Sequence, residues 1–232
     1  MDWTTYQRRR ARQGLAWATL RVVALLLLVA AAVTACWPRE AAAQSIIIPS
    51  RSAIYRLQLE RTAATQFGLN APVARLAAQI HQESAWNPRA ASAYAQGLTQ
   101  FTPATARWIP GICPEVGPMD VWDPGWSLRA QSCYMAFLVK RIPTYRYAGP
   151  MSTCTRWAYA LRAYNGGEGW LNKERLAAQR AGADANDWRA VERYRVRAGW
   201  AHKENTDYPR RILLTLEPAY LRAGWPGKAD CK

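Results

Sequence analysis

Glu83 stands in Gln82-Glu83-Ser84-Ala85-Trp86-Asn87-Pro88, with Gly97-Leu98-Thr99-Gln100 a short way downstream. Upstream, Val73, Leu76, Ala77 and Ile80 recur at helical spacing, and Glu83 continues that apolar stripe three residues after Ile80 and seven after Leu76. A carboxylate on the core-facing stripe loses water and also lies at the negative end of the helix dipole. Both effects disfavour ionisation and raise the pKa. A carboxylic acid still protonated near neutral pH is a general acid. The plainer reading, a solvated glutamate at a helix end, is the usual one, and the stripe weighs against it here.

The residues after Glu83 suit a cleft wall. Asn87-Pro88 stops the helix, and Ser92, Tyr94 and Gly97 follow in a polar, irregular segment. Gly97 permits close backbone approach, and Gln100 offers hydrogen bonds near the carboxylate. Two further constellations accompany it. Tyr164-Asn165 ends a helical run before Gly166-Gly167, where a left-handed glycine cap is expected. Glu204-Asn205-Thr206-Asp207-Tyr208 reads as the opening of the last helix, capped by Thr206 or Asp207. Asp123 and Glu168 are the other candidate acids, and each reads more simply as a turn or cap residue. No metal site is expected: the sequence has no Cys-x-x-Cys pair, and His81 and His202 are its only histidines. No cofactor is expected either.

These side chains need helices to hold them. The pattern predicts one from about 53 to 67 ending at Gly68, and a second, capped by Asn70, ending near Trp86. Thr102-Pro103 is an N-cap followed by proline at the first helical position. Residues 109–126, rich in Pro and Gly, read as a long loop pinned by Cys113. Helical patterns resume at about 127–141, 153–164, 168–180, 186–198 and 209–221. Period-two alternation is nowhere sustained and no internal repeat occurs. The fold class is mostly α.

Glu-Ser-x-x-Asn-Pro-x-Ala-x-Ser, then Gly-Leu-x-Gln-x-x-Pro-x-Thr-Ala, then Ala-Tyr-Asn-Gly-Gly, closely resembles the SLT-type lytic transglycosylase domain, over roughly residues 55–221. The resemblance implies a lysozyme-like single domain with a cleft, spanning residues 53–232, and cleavage of peptidoglycan strands. By it, Glu83 matches the catalytic glutamate, and Ser92 and Gln100 match positions near the reacting sugar. Tyr164 and Asn165 match the segment beside the active site. Tyr208 matches a late tyrosine that contacts the substrate acetamido group or the carboxyl. Two departures stand out. The family commonly reads Ser-x-x-Gly-Ala-x-Gly-Leu-Met-Gln, whereas Ser92 to Gln100 is one residue shorter and lacks the first glycine, and Thr99 replaces the methionine.

Most glycosidases use two carboxylates. One suffices if the N-acetyl carbonyl of the substrate's muramic acid stabilises the anomeric carbon and Glu83 acts first as acid, then as base, closing a 1,6-anhydro ring. A hydrolytic muramidase of the same fold is the alternative enzyme. A non-catalytic wall-binding or assembly protein is the alternative from another class.

The remaining composition bears on compartment and partner. The formal charge is +15, from 31 basic and 16 acidic residues, which favours a polyanion: nucleic acid, anionic lipid or an acidic wall polymer. Twelve tryptophans against three phenylalanines favour flat amphipathic surfaces. Trp86, Trp157 and Trp170 are candidates to stack on sugars, although most tryptophans belong in a core. Arg8, Arg9, Arg10 and Arg12 precede an apolar run from Val22 to Trp37, an export signal over residues 1–36 followed by a linker over 37–52. Export sets the expected location in the periplasm or cell envelope and excludes a specific nucleic-acid partner. Three fates stay open: lipidation at Cys36, cleavage after Ala41-Ala42-Ala43, or retention of Leu15–Trp37 as a membrane anchor. Cys113, Cys133, Cys154 and Cys231 form an even set suited to two disulfides, with three pairings open. Wall remodelling, secretion, conjugation and phage machinery are equally compatible contexts.

Overall fold

The computed structural model describes residues 46–231. The export segment, Cys36 and the first part of the linker lie outside them. Among the described residues there is no extended strand, only isolated bridges pairing Ala91 with Gln96 and Gln96 with Phe101. No helix there is long and apolar enough to cross a membrane.

Ile46 and Ile48 pack against the core, and α1 (Ser52–Phe67) follows, ending at Gly68 in a positive-φ conformation (72°). A 3-10 turn (Gly68–Asn70) leads to α2 (Val73–Ser84), in which every residue from Val73 to Ile80 is buried. Asn70 therefore belongs to the turn, and Pro72 occupies the N-cap of α2 without a side-chain bond. Next comes α3 (Pro103–Ile112), capped by Thr102 Oγ1, which accepts from the Thr105 amide at 3.2 Å. Helix α3 runs through Pro110, and a 3-10 turn (Pro114–Val116) follows, so the expected 109–126 loop is in part helical.

α4 (Pro124–Arg141) is capped by Asp123, whose carboxylate accepts from the Gly125 and Trp126 amides at 3.0 and 2.8 Å. α5 (Thr153–Gly166) and α6 (Glu168–Arg180) match the expected runs closely. The 186–198 expectation fails: only α7 (Trp188–Val191) forms there, since the following Glu192-Arg193-Tyr194-Arg195-Val196-Arg197 has no helical stripe to bury. The final helix starts ten residues earlier than its sequence pattern suggests. α8 (Gly199–Arg211) passes through Pro209 into a π-helical segment (Ile212–Leu216) and then α9 (Glu217–Arg222). Thr206 is consequently mid-helix, donating to the carbonyls of His202 and Lys203 at 3.0 Å.

Two apolar clusters form the interior. The larger gathers α2, α5 and the final helix around Leu76, Ile80, Leu161, Leu213 and Tyr220. The smaller holds Phe101, Ile109, Val121 and Trp126 under α3, where Cys113 is bonded to Cys133. Tyr134 and Tyr164 pack against both clusters, which places them at the junction. The second disulfide, Cys154–Cys231, ties the end of the described chain to the start of α5. Burying this surface is the main source of stability, at roughly 25 cal/mol per Å² of apolar area.

Candidate active site

Glu83 enters the site because α2 ends abruptly behind it. Ala85 and Trp86 adopt left-handed backbone angles (φ 49° and 65°), which cost energy for residues bearing a Cβ. Burial of Trp86 offsets that cost. Its ring is fully buried, stacks on Tyr55 at 6.1 Å, and donates from Nε1 to Tyr220 Oη at 2.6 Å. The helix stops at Ser84, and Glu83 is left in its last turn. Trp86 and Trp157 are core residues, away from the cleft, while Trp170 stays 42% exposed.

The cleft wall after α2 is stapled by side-chain and backbone hydrogen bonds. Ser84 Oγ donates to the Leu98 carbonyl at 2.7 Å, and the Gly97 amide donates to Ala90 O at 2.8 Å. Gly97 has φ 78°, and a Cβ there would stand 1.9 Å from the Val121 carbonyl oxygen, so only glycine fits. Gln100 spends its amide nitrogen on the carbonyls of Ala90 and Gly97, at 3.0 and 2.8 Å. Ser92 Oγ accepts from the Tyr94 and Ala95 amides at 3.2 and 3.0 Å, closing the short turn at the wall's tip. Thr99 is buried, and its hydroxyl lacks a hydrogen-bond partner.

A cavity of about 290 Å³ opens in front of Glu83. Ser92, Gln100, Tyr164 and Asn165 all line it, as do Tyr94, Tyr134 and Glu204. Tyr208 lies beneath, nearly fully buried, with its hydroxyl donating to Glu83 Oε1. Tyr164 Oη donates to Thr99 O at 2.7 Å, and Asn165 Oδ1 accepts from Asn205 Nδ2 at 2.9 Å. A larger cavity of about 580 Å³ lies elsewhere, beside Arg75 and Trp157. Its floor is already paired, Arg75 with Glu217 at 3.0 Å and with Asp230.

The electrostatics single out Glu83. Burial pushes its pKa up to about 8, the Tyr208 hydrogen bond pulls it back, and the charge of Glu204 raises it further. Burial and the Glu83 charge hold Tyr208 well above the usual phenol range, so it is a neutral donor. Asp123 and Glu168 stand apart from this site: the first caps α4, the second pairs with Arg141 at 3.2 Å. Sequence reasoning missed the position of Glu204 in the same cavity as Glu83, and Tyr134 opposite. Aromatic residues within helices are usually core, so nothing in the sequence separates Tyr134 from the rest. Among the described residues, the one set of side chains close enough to ligate a metal ion is Cys113, Glu115 and Cys133, whose two thiols are joined to each other.

A helical domain with a half-buried glutamate of raised pKa on the floor of a cleft between two apolar clusters is lysozyme-like. Within that class, the chain belongs to the transglycosylase SLT domain family, whose model matches residues 59–186. The matched stretch contains Glu83, Ser92, Gln100, Tyr164 and Asn165 and stops short of α8, which carries Glu204 and Tyr208. The chain is similar to the membrane-bound lytic murein transglycosylase F of Alcanivorax borkumensis, 38% identical over 146 residues, covering 62% of this chain and 25% of that protein. The namesake from Pseudoalteromonas translucida is 36% identical over 119 residues, 51% of this chain and 23% of the relative. That from Maricaulis maris is 38% identical over 114 residues, 49% and 22%. The chain thus spans about a quarter of the length of the curated relatives it matches.

Proposed function

We propose that this chain is a peptidoglycan lytic transglycosylase, cleaving the β-1,4 bond between N-acetylmuramic acid and N-acetylglucosamine and leaving 1,6-anhydromuramic ends. The observation that carries the reading is Glu83, with its pKa raised to about 8 by burial at the floor of the cleft and a neutral phenol as its hydrogen-bond donor. Such an acid is protonated when substrate arrives at neutral pH, as the first step requires.

In that step Glu83 gives its proton to the glycosidic oxygen, and the bond to the anomeric carbon breaks with its electron pair leaving on that oxygen. The acetamido carbonyl oxygen of the muramic acid bonds to the anomeric carbon as an oxazolinium. Glu83, now a carboxylate, takes the proton of the same sugar's C6 hydroxyl. The C6 oxygen attacks the anomeric carbon, displaces the acetamido oxygen and closes the anhydro ring. Glu83 is again protonated and no water is consumed. Asn165 and Ser92 face the sugar in this reading, and Tyr208 steadies the acid.

Two features favour a long acidic strand as substrate. The charge of +15 suits a polymer carrying lactyl and stem-peptide carboxylates. A second cavity of about 360 Å³ shares Asn165 and Glu204 with the first and is lined by Trp170 and by Trp200, 75% exposed. It continues the cleft and offers indole faces to further sugars. The export signal and the membrane-bound names of the relatives support an envelope location, tethered through the N-terminal segment or a lipid.

Glu204 supports a second reading. Because it lines the same cavity as Glu83, it is the group that would activate water in a hydrolytic muramidase. Mass spectrometry of digested peptidoglycan separates the two. Anhydro ends that disappear with Glu83→Gln and survive Glu204→Gln are expected. Reducing ends that require both carboxylates would establish the hydrolase.

A further inference from the structure

Behind the acid lies a buried chain of neutral amides that the proposed chemistry does not itself require. Gln79 on α2 and Gln131 on α4 are both fully buried. Gln131 Nε2 donates to the Leu76 carbonyl at 3.1 Å and to Gln79 Oε1 at 2.9 Å. Gln79 Nε2 lies 3.3 Å from Tyr208 Oη, with Met135 Sδ at 3.6 Å as its other neighbour. Tyr208 in turn reaches Glu83 Oε1.

The direction of every bond in this chain follows from one end. A backbone carbonyl only accepts, so the face of the Gln131 amide against Leu76 must be its NH2 group. Turning that amide over would set two oxygens against each other and strand two buried N–H groups, at a cost of about 1–3 kcal/mol for each unpaired group. With Gln131 fixed, Gln79 must present its oxygen to Gln131 and its NH2 group to Tyr208. Tyr208 then accepts from Gln79, and its single proton is left for Glu83. The cost is visible at the far end, where Gln131 Oε1 is buried without a partner.

We infer that Gln131 and Gln79 are positioning residues for the acid: they hold the Tyr208 hydroxyl as a donor to Glu83 Oε1, so that the transferable proton resides on Oε2 and the carboxylate left after proton transfer is stabilised. A tyrosine free to rotate could instead accept from protonated Glu83, locking the proton away from substrate. The amides thus set both which oxygen is the acid and how far burial lifts its pKa. The inference rests on Glu83 as the proposed acid. The other titratable groups facing Glu83 are Glu204 on α8, Tyr164 on α5, Tyr134 on α4 and Tyr94 in the cleft wall. None of them is altered by changing the two amides.

The test compares Gln79→Met and Gln131→Met with the parent, each confirmed as folded by circular dichroism and thermal unfolding. Methionine keeps the length of glutamine and removes the N–H donors. Protonation of Glu83 is followed by infrared difference spectroscopy against Glu83→Gln, which needs no turnover, and kcat and KM are measured against pH. Both variants are expected to move the Glu83 midpoint upward by about half a unit or more, with the alkaline limb of kcat following, because a Tyr208 hydroxyl released from the amides can accept from the protonated acid or turn its proton away from the carboxylate. We expect kcat near neutrality to fall about five- to tenfold with KM changed less than twofold. In a Tyr208→Phe background the same amide changes are expected to shift nothing further. Unchanged midpoints in the folded single variants, or equal shifts with and without Tyr208, would overturn the relay. Full activity of Glu83→Gln would instead overturn the proposed acid, so the two failures are distinct. Should one methionine variant not fold, the other, together with Gln79→Glu, gives the same comparison.

Discussion

Glu83 on α2 and Glu174 on α6 are glutamates of one domain, and the charges around them differ. Glu174, on α6, is fully buried and meets Arg162, Arg197 at 3.0 Å and His202 Nδ1 at 3.0 Å. Glu83 meets one neutral phenol and has the charge of Glu204 nearby, so its proton is retained up to about pH 8. Burial is common to both; the partner decides. A buried carboxylate matched by guanidinium groups is a fastener, and one denied a cation keeps its proton, as the proposed acid must.

The fastener also builds the surroundings of Glu83. Arg162 on α5 reaches Glu174 with one nitrogen and donates from Nε to Asn205 Oδ1 at 3.0 Å. Asn205 in turn donates to the Arg162 carbonyl at 2.8 Å and to Asn165 Oδ1 at 2.9 Å. The ionic cluster therefore locks α8 against α5, and α8 carries Tyr208 and Glu204 to the cleft. Gly166 leaves space for this: a Cβ there would fall 2.5 Å from Asn205 Nδ2 and 2.6 Å from an Arg197 nitrogen.

The sharpest way to break the contrast is to neutralise each glutamate in turn. Glu83→Gln is expected to lower turnover of purified peptidoglycan on the order of 10³-fold, the scale of a lost general acid, while binding and fold persist. Residual activity within tenfold of the parent would remove Glu83 from its role. Glu174→Gln is expected to do the reverse, costing about 3–5 kcal/mol of stability because Arg162 and Arg197 are left buried without their counter-charge. Urea unfolding measures this, and a loss below about 1 kcal/mol would mean the cluster is no frame.

The third effect is on the pH dependence of stability. Glu83 has a folded pKa of about 8 against 4.5 for an unperturbed glutamate, so between those values the folded state holds a proton that the unfolded chain has released. Stability of the parent should fall as pH rises across that window, by at most about 5 kcal/mol in total, and Glu83→Gln should lack this component. Parallel slopes for parent and variant in urea titrations would contradict a raised pKa. The smallest effect concerns an uncharged group left without a partner. Thr99→Val removes a buried hydroxyl that lacks one and is expected to stabilise the domain by about 1 kcal/mol, read as a rise in Tm with activity retained.

Much of this arrangement is legible along the chain. The stripe of Val73, Leu76, Ala77 and Ile80 is buried as its period demands, and Gly68 and Thr102-Pro103 bound their helices as their chemistry suggests. The four cysteines pair as two disulfides, and the chain order leaves the pairing open until Cys113 is seen beside Cys133. The last helix was less legible. The apolar pattern is clear only from about 209, so Glu204 to Tyr208 reads as an opening capped by Thr206 or Asp207, whereas the helix has already begun at Gly199 and runs through Pro209. Packing of α8 against α5 carries the helix through that proline and turns Glu204 toward the cleft.

Sequence alone determined where Glu83, the proposed acid, stands, because local periodicity and the helix-stopping Asn87-Pro88 suffice to put it on the buried face of a last turn. It determined the helical class for the same reason. Tertiary structure alone decided what the acid touches. Tyr208 is 125 residues from Glu83, Gln79 is 129 from Tyr208, and Gln131 is 52 from Gln79. Neutral polar residues inside helices leave no periodic trace of their partners. Their hydrogen bonds exist only once three helices have packed, and that packing fixes the direction in which each proton points.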